Sequence, residues 1–218
     1  MHVAIDGPSG AGKSTIARAL ARKLGLVYLD TGAMYRAVGL KALEQGLPLK
    51  EEAPLVEMLS RTRLEIVRRG DEQRILLDGQ DVSERIRTPQ VSMAASAVST
   101  VGAVRRWLVA MQQALAEGQD VVMDGRDIGT KVLPDAEHKF FLTADDEVRA
   151  RRRFDELRAK GQEVCYEDIL SDLRARDLQD STRAESPLVC AQDAITVDTS
   201  ELNIDEVVLC LLALMGRA

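Results

Sequence analysis

The chain has 218 residues, 45% hydrophobic and 29% charged, which suits a globular protein with a sizeable core and excludes collagen-like, disordered and disulfide-scaffold classes. A net charge of −6 and 3% aromatic residues argue against a general nucleic-acid binder. Arginine supplies 22 of the 29 cations, through composition bias or because some of them clamp phosphates. The three cysteines, Cys165, Cys190 and Cys210, lie far apart without a CxxC spacing. They fit reduced thiols in a cytoplasmic protein and imply no metal site. The apolar run near residues 207–215 is about half the length of a membrane span, and no secretory leader pattern is present, so neither membrane insertion nor secretion is expected.

Residues 2–6, His-Val-Ala-Ile-Asp, form a β-branched apolar run that stops at Gly7-Pro8 and is predicted to be a buried strand. Ile16, Ala19, Leu20 and Leu24 then recur at helical spacing, and Gly25 closes that helix. Residues 27–30 read as a second strand, after which Thr31 is expected to cap a helix carrying Met34, Val38 and Leu43. Between 63 and 87, short strand-like runs are separated by Arg69-Gly70-Asp71 and Asp78-Gly79, the pattern of a small antiparallel meander. Helices are predicted near 88–100 and 102–117, and strands at 121–124 and 139–142. A polar, Arg-rich helical stretch covers 145–182, then a strand at 194–197 and a closing helix with Ile204, Val207, Val208, Leu211, Leu212 and Met215 on one face. Alternating strands and helices imply a three-layer α/β fold with a mostly parallel sheet, the meander being an insertion. Ligands of such sheets bind at the carboxyl ends of the strands, where Gly7, Asp30 and Asp124 fall.

Gly7-Pro8-Ser9-Gly10-Ala11-Gly12-Lys13-Ser14 matches G-x-x-x-x-G-K-[ST] and sits between a strand and a helix, as a phosphate-binding loop must. Its glycines let backbone N–H groups converge on phosphate oxygens. Lys13, expected to stand exposed, reaches the β- and γ-phosphates, and the Ser14 hydroxyl can ligate Mg²⁺. The plainer alternative is a Gly-rich turn with a solvated lysine. A phosphate loop fits either a phosphotransferase or a switch or motor whose acceptor is water. No Asn-Lys-x-Asp segment is present, and Asp124 is followed by Gly125-Arg126-Asp127 rather than by Glu, which favours a small-molecule kinase.

Four segments carry a more specific likeness: 6–15 (DGPSGAGKST), 30–36 (DTGAMYR), 124–130 (DGRDIGT) and 176–183 (RDLQDSTR). Their order resembles the bacterial cytidylate kinases over essentially the whole chain, including the insertion and the tail from Ser186-Pro-Leu to Ala191-Gln-Asp-Ala-Ile. The small departure is Thr31, where some relatives have Ser. The resemblance implies a P-loop nucleoside monophosphate kinase fold over 1–218. Its core would be about 1–30, 101–145 and 190–218, its CMP-binding lobe about 31–100, and its mobile helical lid about 146–182. It implies phosphorylation of CMP and dCMP with ATP and Mg²⁺, with UMP/CMP and adenylate kinases as the runners-up.

The acceptor would be a phosphate, already ionised at neutral pH, so the protein needs cations and positioning rather than a general base. By resemblance, residues Gly7 through Thr15 (Gly7, Pro8, Ser9, Gly10, Ala11, Gly12, Lys13, Ser14, Thr15) cradle the ATP phosphates, and Asp124 meets Mg²⁺ through water unless it merely caps the next turn. Arg36 and Arg126 hold the CMP phosphate, with Thr31 and Tyr35 beside them. Asp127 accepts from the cytosine amine, with Ser96 and Arg105 at the ring edge. Arg176, Asp180 and Arg183 reach the sugar and phosphate, or else are solvated charges of one helix. Arg149, Arg152 and Arg153 share a helical face and would close over the phosphates, although Asp145 and Glu156 stand where plain surface ion pairs would form. Gly161 would punctuate that lid. Nothing in the sequence announces a dimer interface, a membrane contact or a nucleic-acid site, so a cytoplasmic monomer is expected.

Overall fold

The computed structural model describes every residue except Gly70, Asp71, Lys160 and Ala218, and at Arg68, Arg69 and Glu72 the backbone alone. The chain divides into two units, Met1–Tyr28 with Gly118–Ala218, and Leu29–Glu117.

The first unit is built on parallel strands. Strand β1 (His2–Asp6) pairs with β6 (Val121–Gly125) on one side and β7 (His138–Thr143) on the other, and β7 pairs with β8 (Ile195–Asp198). With β2 (Val27–Asp30), whose chain leads into the second unit, the sheet order is β2-β6-β1-β7-β8. The β1 run is buried on both faces, which explains its unbroken apolar character. Helix α1 (Lys13–Leu24) turns Ile16, Ala17 and Leu20 into this core and ends at Gly25 in the left-handed conformation, as the sequence predicts. Helix α8 (Ile204–Leu214) adds Val207, Val208 and Leu211 and opens with a reciprocal Asn203–Glu206 capping box.

The polar stretch over 145–182 is two helices, α6 (Asp146–Ala159) and α7 (Tyr166–Thr182), broken around Gly161 at φ 74°. Arg151 lies 4.6 Å from the centroid of the Tyr166 ring, joining the two helices. After β6 the chain makes a π-helical turn, Ile128–Val132, that no local pattern announces.

The second unit has its own core. Helix α2 (Thr31–Glu44) supplies Met34, Ala37 and Val38, and helix α3 (Glu52–Ser60) supplies Leu55, Met58 and Leu59. Helix α4 (Pro89–Val98) and helix α5 (Gly102–Ala116) complete it. Helix α5 contributes Val104 and Leu108 to this core. The expected meander is present as β3 (Leu64–Arg69), β4 (Glu72–Leu77) and β5 (Gln80–Asp81). Of its first expected turn, Gly70 and Asp71 lie outside the described residues. At the second, Asp78 and Gly79 both have positive φ, 50° and 83°, as a two-residue hairpin turn requires. Asp30, not Thr31, caps α2. Its carboxylate accepts from the Ala33 N–H at 2.8 Å, which leaves Thr31 as the first helical residue.

Candidate active site

In the first unit the loop Gly7 to Ser14 joins β1 to α1 at the carboxyl end of the sheet. Gly7 has φ 147°, and a Cβ there would lie 2.0 Å from the Leu142 carbonyl oxygen, so no other residue fits. Gly12, at φ 81°, caps α1 in the left-handed conformation and directs the first N–H groups of the helix into the loop.

Lys13 is buried, at 6% exposure, against the expectation that it stands free. Its ammonium is drawn into the loop, donating to the Pro8 carbonyl at 2.6 Å. Burial pushes its pKa down and the nearby charge of Arg126 pushes the same way, while Asp124, Asp180 and Asp6 oppose. Ser14 Oγ donates to Asp124 Oδ2 at 2.8 Å, and the Tyr28 hydroxyl donates to Asp124 Oδ1 at 2.8 Å. Asp124 therefore accepts from the loop serine and from Tyr28 at once. Tyr28, a positioning residue of this carboxylate, gave no sequence signal beyond its place in a strand.

Asp6 is another residue that sequence reasoning missed. Its two carboxylate oxygens accept from the Ile128 N–H at 2.8 Å and the Gly129 N–H at 2.7 Å. It thus ties the end of β1 to the π-helical turn directly after Arg126 and Asp127. Burial raises its pKa from 3.8 to about 6, although the two N–H groups and Lys13 favour the ionised form. Asp127, 4% exposed, precedes this turn.

Arg126 leans on α7. Its Nε donates to Asp180 Oδ2 at 2.8 Å, and Arg183 Nη1 donates to Asp180 Oδ1 at 3.2 Å. Burial alone pushes the Asp180 carboxyl up, but Arg126, Arg183 and Arg176 outweigh it and hold it below the usual carboxylate range. Burial and the Arg126 charge lower the Arg176 guanidinium in turn. Four of the expected acceptor residues, Arg126, Arg176, Asp180 and Arg183, form one cationic cluster around a single carboxylate.

The three lid arginines do not behave alike. Arg149 is buried and donates to the Ala144 and Ser9 carbonyls and to Asp177, not to Asp145. Arg152 donates to the Thr199 carbonyl at 2.5 Å and to its hydroxyl at 3.2 Å, beyond β8. Arg153 pairs with Glu156 at 2.7 Å, one helical turn on.

The second unit holds the remaining expected residues. Arg36 Nη2 donates to Asp30 Oδ2 at 3.0 Å, so the capping carboxylate also aims this guanidinium. The Asp30 N–H donates to Gln73 Oε1 at 3.0 Å, a tether from β4 that the sequence did not reveal. Arg105 is 2% exposed, lies 5.3 Å from the centroid of the Tyr35 ring and donates to the Ser99 carbonyl. Ser96 is half-buried on α4, and Thr31 is buried at the start of α2.

The shikimate kinase of Bacteroides thetaiotaomicron has the same fold, with a TM-score of 0.52 at 14% identity, covering 99% of this chain and 98% of that one. Fold and phosphate loop together define a P-loop protein. A family model described as cytidylate kinase matches residues 3–217. Cytidylate kinases of Caldicellulosiruptor saccharolyticus, Carboxydothermus hydrogenoformans and Bacillus pumilus are 53%, 52% and 50% identical to it over 100%, 100% and 95% of this chain and 96%, 98% and 92% of their own. The chain belongs to the cytidylate kinase family.

Proposed function

We propose that the protein transfers the γ-phosphoryl group of ATP to CMP or dCMP, giving ADP and CDP or dCDP, as a monomer in the cytoplasm. The observation that carries this reading is the family match over 3–217, on a chain whose Gly-rich loop lies between β1 and α1. The three free cysteines suit a reducing compartment. Among the described residues no helix is long and apolar enough to cross a membrane. The net negative charge argues against a nucleic-acid partner.

The loop N–H groups and Lys13 receive the donor phosphates, and Lys13 balances charge as the γ-phosphoryl group moves. The oxygen pair Ser14 Oγ and Asp124 Oδ2, 2.8 Å apart, fits Mg²⁺, a hard cation that keeps several waters. Bound there, with Ser14 direct and Asp124 through water, the ion would neutralise phosphate charge. Arg36 and Arg126 take the acceptor phosphate, and Arg176, Asp180 and Arg183 its sugar and phosphate. Thr31, Tyr35, Ser96 and Arg105 line the nucleoside. Arg149, Arg152 and Arg153, on the helical stretch over 146–182, exclude water from the transfer.

Asp127 selects the base. Its carboxylate oxygen accepts from the amine of cytosine and repels the corresponding carbonyl of uracil. In Asp127→Ala, kcat/KM for CMP should fall by about 10- to 150-fold, the equivalent of about 1.5–3 kcal/mol typical of a hydrogen bond to a charge, and by much less for UMP. Steady-state kinetics with both substrates tests this. Equal losses would reduce Asp127 to a support of the fold.

A further inference from the structure

Ser9 is the loop residue whose backbone is held on both sides by side chains. Its N–H donates to Asp177 Oδ1 at 3.3 Å, and its carbonyl accepts from Arg149 Nη1 at 2.8 Å. The two side chains also pair with each other, Arg149 Nη1 donating to Asp177 Oδ2 at 2.6 Å. Arg149 is set close against the loop, since a Cβ built on Gly10 would lie 3.1 Å from its own Cβ. A second donor Nε, fixed on the Ala144 carbonyl at 2.9 Å, keeps the guanidinium in place.

A carboxylate on the N–H of a phosphate-binding loop, paired with a neighbouring guanidinium, occupies the partners that a phosphate oxygen would use. Both are anions, and both accept from N–H and guanidinium donors in the same geometry. We propose that Asp177 is an internal competitor of the donor phosphates. The phosphate chain of ATP displaces the carboxylate from the Ser9 N–H and takes over Arg149, so Asp177 holds donor affinity below what the loop would give alone. The inference rests on the loop being the ATP site. Asp177 is also the neighbour of Arg176 on α7, so the helix that carries proposed acceptor residues feels the displacement.

The competing account makes Asp177 a strut that orients Arg149 for the phosphates, and the two accounts differ in sign. A strut removed weakens ATP binding, whereas a competitor removed strengthens it. The experiment is calorimetric titration of ATP, without CMP, into the full chain as wild type, Asp177→Asn and Asp177→Ala. Adenosine serves as a phosphate-free control. Asp177→Ala should bind ATP about tenfold tighter, the scale of one partly solvated hydrogen bond to a charge. Asp177→Asn, nearly the same shape, keeps an acceptor for the Ser9 N–H without the charge and should tighten less, while adenosine affinity stays put. Unchanged or weaker ATP binding in the Asn variant overturns the proposal, as does equal tightening of adenosine. Lys13→Met is titrated alongside. If it binds ATP like wild type, the loop is not the donor site and the proposal falls with that reading. If it binds more weakly while neither Asp177 variant tightens, the competitor alone is refuted.

Discussion

Asp6→Asn tests how the turn that presents Arg126 and Asp127 is held. Asp6 is 5% exposed, and burial lifts its pKa from 3.8 to about 6. The folded chain therefore binds this proton more tightly than the unfolded chain. The stability it contributes is fully present below pH 3.8 and is lost as pH rises through about 6. At about 1.4 kcal/mol per pKa unit the loss is about 3 kcal/mol, an order-of-magnitude figure. Asn cannot titrate. It also turns an amide N–H₂ toward one of the two backbone donors, a pH-independent cost of about 1–3 kcal/mol. Urea unfolding of both proteins from pH 4 to pH 7 measures the difference, in which titrating groups that do not interact with Asp6 cancel. The variant should gain on wild type by up to about 3 kcal/mol across that range. A loosened turn should also raise KM for CMP more than KM for ATP. A stability difference that stays flat with pH, or moves the other way, refutes the reasoning.

Lys13→Met should cost at least about 100-fold in turnover while the protein stays folded, because the ammonium balances charge at the transferred group. Retention of more than about a tenth of wild-type turnover, a loss under about 1.4 kcal/mol, contradicts that role. Gly39→Ala should destabilise the second unit by about 1–3 kcal/mol, since a Cβ there would meet the Ala95 nitrogen at 2.8 Å and the Ala94 carbonyl carbon at 3.1 Å. A melting temperature equal to wild type would show that α2 and α4 separate at little cost.

The parallel strands were legible because burial on both faces leaves short unbroken apolar runs, and the phosphate loop because its glycines and lysine are contiguous. Other features depend on partners far along the chain. The π-helical turn at Ile128–Val132 is held by Asp6, and no local spacing can report that contact. Lys13 is buried because the fold closes around it, which a motif does not encode. Helix α3 escaped notice because Pro54 sits within its first turn, a tolerated position that breaks the visible pattern. Thr31 looked like the cap of α2 because either Asp30 or Thr31 suits that position by type, and only the geometry shows the Asp30 carboxylate accepting from Ala33. The arginines of α6 share a face in sequence, yet Arg149 turns to the Ser9 carbonyl and Asp177 while Arg153 stays with Glu156.

The central claim is that this chain moves phosphate from ATP to CMP. The most direct measurement is ADP formation by the purified protein with ATP and Mg²⁺, following the rate without acceptor, with CMP and with UMP. The account predicts a rate that is negligible without acceptor, rises steeply with CMP and rises far less with UMP. ADP formation that proceeds at the same rate whether or not CMP is present would contradict it, and would make the protein a nucleotide hydrolase.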